Sequence, residues 1–256
     1  MEIRPIRPDE AEEFLALLCT IFGLDPSRAR HVFYSEPYFD LQRKWALFVE
    51  GTIVSILTTT PMQFGWGRAF GIAGVGTRPE QRGKGYGGRL LAHVCEAAEA
   101  QGESVACLFA HRPELYARNG FQVLDEVVRG ELVVSPVWEP AKPMPSEEVE
   151  AIYNAWSEER DDRLRRDEQR WRCWRWSLKV CEPFDQGYVC LEASVVREAL
   201  LAHRHETWPV PAGTKWFGLR SMTDMLGVPL RSAQPELLLM ARGLDHPPQM
   251  FMTDQF

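Results

Sequence analysis

The apolar positions change period along the chain, and each change marks an element. Ile3 and Ile6 predict a short opening strand. Asp9 followed by Glu12 reads as a capping box, after which Phe14, Leu15, Leu17, Leu18, Ile21 and Phe22 recur at helical spacing until Gly23 stops the helix. A second short helix over 27–34 precedes Pro37. Strands are predicted over 45–50 and 52–64, joined at Gly51, and over 69–77 after the turn Gly65-Trp66-Gly67; together they form an antiparallel meander. Residues 78–88 are a polar, glycine-rich turn, and from Tyr86 the positions Leu90, Leu91, Val94, Ala97 and Ala98 return to helical spacing until Gly102. A strand over 104–110, a short helix over 113–119 and a strand from Phe121 follow. Alternation of strand and helix after a meander predicts an α/β fold with a mixed sheet and helices on both faces.

Pro136, Pro140, Pro143 and Pro145 then interrupt the pattern, because proline resists both a helix interior and a central strand. This stiff segment, 136–145, is read as a linker between domains at 1–135 and 146–256. Beyond it Ser146 caps an amphipathic helix predicted to run to about Arg166, with Val149, Ile152, Tyr153, Trp156 and Leu164 on one face. Strands over 187–193, 215–219 and 236–240 give the second part the look of a smaller α/β domain.

Composition narrows the class. The 256 residues are 45% hydrophobic and 25% charged, enough for a folded core and unlike a disordered or collagen-like chain. No apolar run reaches the ~18 residues of a membrane span and the start lacks an apolar leader stretch, so a soluble, cytoplasmic protein without a membrane partner is expected. Cys19, Cys95, Cys107, Cys173, Cys181 and Cys190 show no CxxC spacing, which argues against a zinc ribbon or a disulfide framework. A net charge of -7 argues against nucleic acid as the main partner.

One segment carries chemistry. Gly74-Val75-Gly76-Thr77-Arg78-Pro79-Glu80-Gln81-Arg82-Gly83-Lys84-Gly85-Tyr86-Gly87-Gly88 ends a strand, turns through glycines and opens a helix. Glycines permit a tight arch with several N–H groups pointing inward, and the helix start adds partial positive charge, so the turn is built to hold a pyrophosphate. Arg82 and Lys84 bring full charges beside it.

With Arg82, Gly85 and Gly87 in an Arg-x-x-Gly-x-Gly pattern between strand and helix, and Tyr116-Ala117-Arg118-Asn119-Gly120-Phe121 after the next strand, the sequence resembles the GCN5-related N-acetyltransferase (GNAT) superfamily over residues 1 to about 135. Its length resembles the tandem enhanced-intracellular-survival-type members. The resemblance implies a mostly antiparallel, twisted GNAT-type sheet flanked by helices, followed by a second, degenerate GNAT-like domain without a cofactor site. It also implies acetyl-CoA as co-substrate with no metal, and a primary amine of a small molecule or peptide as acceptor, with homo-oligomerisation left open. Carried over residue by residue, Val75, Gly76 and Thr77 would hold the pantetheine arm, and Gly83, Lys84, Gly85, Tyr86, Gly87 and Gly88, with Arg82, the pyrophosphate. His111 and Arg112 would flank the cofactor, and Tyr116 would protonate the leaving thiolate, its pKa of about 10 being a good match to a thiol's.

The sequence departs from the family at the proton acceptor. Many relatives place a glutamate on the strand before the turn, and here that strand, Phe70 to Thr77, has no ionisable side chain. In the tandem members the terminal carboxylate serves, which implies the carboxylate of Phe256; Glu36 or a chain of waters are the alternatives. A net charge of -7 favours cationic amines, such as polyamines or aminoglycosides, over acidic ones. A non-catalytic acyl-CoA-binding sensor is the rival reading, motivated by the missing glutamate. Among the remaining features, the Arg- and Trp-rich stretch from Arg160 to Trp176 is read as a solvated, ion-paired helix with its tryptophans packed inward, His203 and His205 as surface histidines, and Cys107 as a buried, inert thiol.

Overall fold

Alternating apolar and polar positions build a ladder that starts at the second residue and continues through both halves of the chain. The computed structural model describes residues 1–177 and 179–256. The first half runs β1 (Glu2–Pro5), α1 (Ala11–Phe22), α2 (Pro26–Ser35), β2 (Lys44–Val49), β3 (Thr52–Phe64), β4 (Gly67–Thr77), α3 (Tyr86–Glu99), β5 (Val105–Ala110), α4 (Glu114–Ala117) and β6 (Gln122–Leu132). The second runs α5 (Ser146–Glu158), β7 (Leu164–Arg165), α6 (Glu168–Trp176), β8 (Val180–Phe184), β9 (Gly187–Glu192), β10 (Val195–Leu200), β11 (Lys215–Leu219), α7 (Arg220–Leu226) and β12 (Leu230–Arg242).

The result is a mixed, mostly antiparallel sheet flanked by helices; the mixed sheet was expected from the pattern and the mostly antiparallel pairing from the family resemblance. Its order is β1-β2-β3-β4-β5-β12-β6-β11-β10-β9-β8, with β7 pairing β3 off this path. Only the β4–β5 and β10–β11 pairs are parallel among the described strands. The two halves interlock by exchange: β12 lies between β5 and β6, so the last strand of the second half completes the first, while β6 pairs with β11. Pro235 is tolerated inside β12 because the register to β6 shifts between Pro235 and Leu237, which spares a ladder donor.

Alternate residues of β4 and β5 pack to opposite sides. Phe70, Ile72, Ala106 and Leu108 join Leu90, Leu91 and Val94 of α3, whereas Ala69 and Cys107 join the large cluster built from α5, α6 and the second-half strands. That cluster holds the fully buried Trp171, Trp208, Trp216, Tyr153 and Tyr188.

Three local expectations change. The reach-back to the start of α1 comes from Glu10 rather than Glu12: its carboxylate accepts from the Arg7 N–H at 2.7 Å, because Pro8 opens a 3-10 turn ahead of the helix. The helix begun at Ser146 stops at Glu158, and Leu164–Arg165 instead pair with β3, since burying Leu164 against that free strand edge satisfies its backbone as well. The Arg-rich stretch is not solvated throughout, because Arg166 and Arg170 are buried between opposite charges.

Candidate active site

The strand entering the glycine turn is reshaped before it gets there. Thr58 pairs with Ala73 and Ile56 with Gly76, so β4 carries an extra residue opposite Leu57, and Gly74 takes the left-handed conformation (φ +61°) that this bulge requires. Pairing of β4 with β5 ends at Ile72–Leu108. Beyond it Ala73 to Thr77 have no ladder partner in β5.

The turn follows directly. Gly83 (φ +79°) and Gly85 (φ +76°) are left-handed, and Gly85 is the N-cap of α3. The first bond into α3 runs from the Arg89 N–H to the Gly85 carbonyl, so the N–H groups of Tyr86, Gly87 and Gly88 lie in the first turn, where a helix gives donors no internal partner. A Cβ on Gly87 would lie 3.3 Å from Thr77 Oγ1, which places the helix start against the end of β4. Ser55 locks that end: its buried hydroxyl bonds the Gly76 carbonyl at 2.8 Å and Thr77 Oγ1 at 3.0 Å. Arg82 Nε donates to the Thr77 carbonyl at 3.3 Å, and Lys84 Nζ to Gln81 at 2.7 Å, both at the surface. The cradle therefore fits a pyrophosphate, with backbone donors inside and two cations at its rim.

Tyr116 sits on α4, half-buried, its ring edge-on to Phe121 at 6.3 Å between centroids. It packs against the same cluster as Val75 and Tyr86, on the α3 side of the sheet. Burial raises the Tyr116 phenol above its ordinary value. His111 and Arg112 are exposed in the loop after β5, and Arg112 pairs with Glu114 at 2.8 Å.

Phe256 lies on the other side. Its ring covers Gly71 of β4, where a Cβ would come within 2.2 Å of it, and it stands 5.3 Å from the Phe109 ring of β5. Gly71 is thus needed for close approach, a role the sequence reading missed; a glycine in mid-strand was the available signal. The β4–β5 ladder ends one residue past Gly71, at Ile72–Leu108.

Residues 2–124 match the family model described as acetyltransferase (GNAT) domain. This half of the chain belongs to the GNAT acetyltransferase family. The sequence matches no curated protein. Among solved structures, the chain is similar to a GCN5-related N-acetyltransferase from Kribbella flavida (TM-score 0.72, 16% identity, covering 94% of this chain and 70% of that one). It is also similar to Eis1 from Mycobacterium abscessus (0.61, 18%, 93% and 73%) and to a putative acetyltransferase from Pyrococcus horikoshii (0.67, 13%, 98% and 92%). At these identities the likeness shows a shared fold, and it extends across both halves.

Within the GNAT domain, Glu36 is bound to the buried Lys44 ammonium, which leaves it engaged in an ion pair. Cys107 is fully buried, and burial pushes its thiol up to about 12. Native protein is accordingly expected to show no reaction of Cys107 with Ellman's reagent at pH 8, where only about one thiol in 10,000 would be ionised, and full reaction after denaturation. Rapid labelling of the native thiol would contradict this. A cavity of about 390 Å³ lies between Trp45, Thr59, Ala98 and Glu103. It sits at the opposite end of α3 from the glycine turn, about 20 Å away by helix rise. His203 and His205 flank Asp185, with ring nitrogens 3.1 and 2.9 Å from its carboxylate, away from the site elements. Among the described residues no group of three or more His, Cys, Asp or Glu is placed to hold a metal, and no helix is long and apolar enough to cross a membrane.

Proposed function

We propose that the protein transfers the acetyl group of acetyl-CoA to a primary amine of a small molecule or peptide. The observation that carries this reading is the β4–β5 ladder that ends at Ile72–Leu108 just before the glycine turn, with Tyr116 on one side of the sheet and Phe256 on the other. The N-acetyltransferase description of the Kribbella flavida protein, similar over both halves, supports it.

In this reading the N–H groups of Gly83 to Gly88 bind the pyrophosphate, Arg82 and Lys84 offset its charge, and Val75 to Thr77 bind the pantetheine arm by adding a strand's worth of hydrogen bonds to β4. His111 and Arg112 meet the cofactor at the loop after β5. The amine enters from the Phe256 side. Its nitrogen attacks the thioester carbonyl, the C–N bond forms as the C–S bond breaks, the nitrogen's proton passes to the Phe256 carboxylate, and the Tyr116 hydroxyl gives its proton to the departing sulfur. The raised Tyr116 pKa keeps that hydroxyl protonated at neutral pH. Phe256 is assigned the base because β4 supplies no carboxylate and Glu36 is paired with Lys44.

Thiol release from acetyl-CoA with a panel of polyamines, aminoglycosides and lysine-containing peptides tests the proposal. Saturable release with at least one amine is expected. CoA binding without release across the panel would instead identify a non-catalytic acyl-CoA-binding module.

A further inference from the structure

The residues just before Phe256 are held by a buried charge network that the proposed chemistry does not itself use. Arg166 is fully buried; its Nε donates to Asp254 Oδ1 at 3.0 Å and its Nη2 to Asp254 Oδ2 at 2.7 Å. The same guanidinium donates to both oxygens of Glu198, at 3.0 and 2.7 Å, and lies 3.7 Å above the Tyr153 ring. Glu198 also accepts from Trp174 Nε1 at 2.8 Å and from the hydroxyls of Tyr188 and Thr253. Burial alone would raise the Glu198 carboxyl, but the charge and hydrogen bonds of Arg166 outweigh it and hold the group ionised below its ordinary value.

Arg170, also buried, extends the network to the sheet. Its Nη2 donates to the Pro61 carbonyl at 2.6 Å and its Nη1 lies 3.4 Å from the Asp254 carbonyl. Pro61 pairs with Phe70, the neighbour of Gly71. The clamp on Asp254 and the seat of the Phe256 ring are therefore referenced to the same stretch of β3 and β4.

We propose that Arg166, Glu198 and Asp254 are positioning residues that fix the 252–254 turn so that Phe256 is seated on Gly71. Two cations facing two carboxylates leave no net buried charge, which makes the burial tolerable. Apolar contacts from Phe251 and Met252 would hold the segment to the core without fixing its direction. A planar guanidinium fork does fix direction, because its donors meet a carboxylate in only a few orientations. Only Gln255 separates Asp254 from Phe256, a reach of roughly 7 Å, so orientation at Asp254 passes to the ring.

The inference rests on the reading of Phe256 as part of the transfer site, and the test separates the two. Full-length Asp254→Ala and Asp254→Asn proteins are treated with carboxypeptidase A, which removes an aromatic terminal residue. Release of Phe256 is expected to be about tenfold or more faster than in the unaltered protein, as for a segment whose local stability is lost. CoA titrations and far-UV dichroism are expected to be unchanged, showing that the turn and fold survive. With an amine that supports thiol release, Asp254→Ala and deletion of Phe256 should each lower turnover, and the two together should cost no more than the deletion alone. Unaltered release of Phe256, or losses of turnover that add, would overturn the positioning role. If Phe256 is released faster from the Asp254 variants but its deletion leaves thiol release intact, positioning stands and the catalytic reading of Phe256 falls.

Discussion

Replacing Gly87 with valine is expected to weaken CoA binding by about 100- to 10,000-fold in a calorimetric titration. The added Cβ would sit 3.3 Å from Thr77 Oγ1, and the branched methyls would occupy the space between the start of α3 and the end of β4. Hydrogen bonds to a charged acceptor contribute about 1.5–3 kcal/mol each, so losing two accounts for that factor. Gly85→Val reaches the same result differently. Its Cβ meets nothing within 4 Å, but φ of +76° is a conformation that a branched residue resists, so the N-cap geometry and the donors it aims are lost. The strain of about 1–2 kcal/mol shifts the melting temperature by only a few degrees in a chain this size, so affinity should fall while the fold remains. Wild-type CoA affinity in both variants would refute the assignment of the turn.

Tyr116→Phe is expected to lower turnover by roughly 10- to 10,000-fold, the usual worth of a positioned acid, with CoA affinity and melting temperature retained. The substitution removes the proton and keeps the ring, so its contact with Phe121 survives. The pH profile separates acid catalysis from packing. Burial raises the phenol's pKa, so the acid is fully protonated at neutral pH and the activity it supports is lost only as pH rises above the ordinary value near 10. That alkaline limb should vanish in the variant. Undiminished turnover would mean that the thiolate takes its proton from solvent.

What was legible in the sequence was local. The bounds of β3 were read to the residue, and the ends of β2, β4 and β5 to within one or two, because alternation and glycine punctuation act over a few neighbours. The glycine turn was legible for the same reason: a strand, a run of glycines and a helix start are contiguous in the chain. Strands β8 and β10 were not read. Val180–Phe184 carries Glu182 and Pro183, and Val195–Leu200 carries Arg197 and the buried Glu198, so neither shows clean alternation. Both are strands because neighbouring strands accept their backbone.

The sequence by itself determined the class of the first half, its order of elements and the glycine turn that leads from β4 into α3, since each depends on residues adjacent along the chain. Only the tertiary structure decided that β12 slots between β5 and β6, that Gly71 lies under the ring of Phe256, and that Arg166 is a buried clamp rather than a solvated charge. Arg166 meets Glu198 and Asp254 across 32 and 88 residues of chain, and nothing in its local pattern distinguishes it from the exposed Arg172. Burial of a charge is set by the partner that neutralises it, and a distant partner is supplied only by the folded chain.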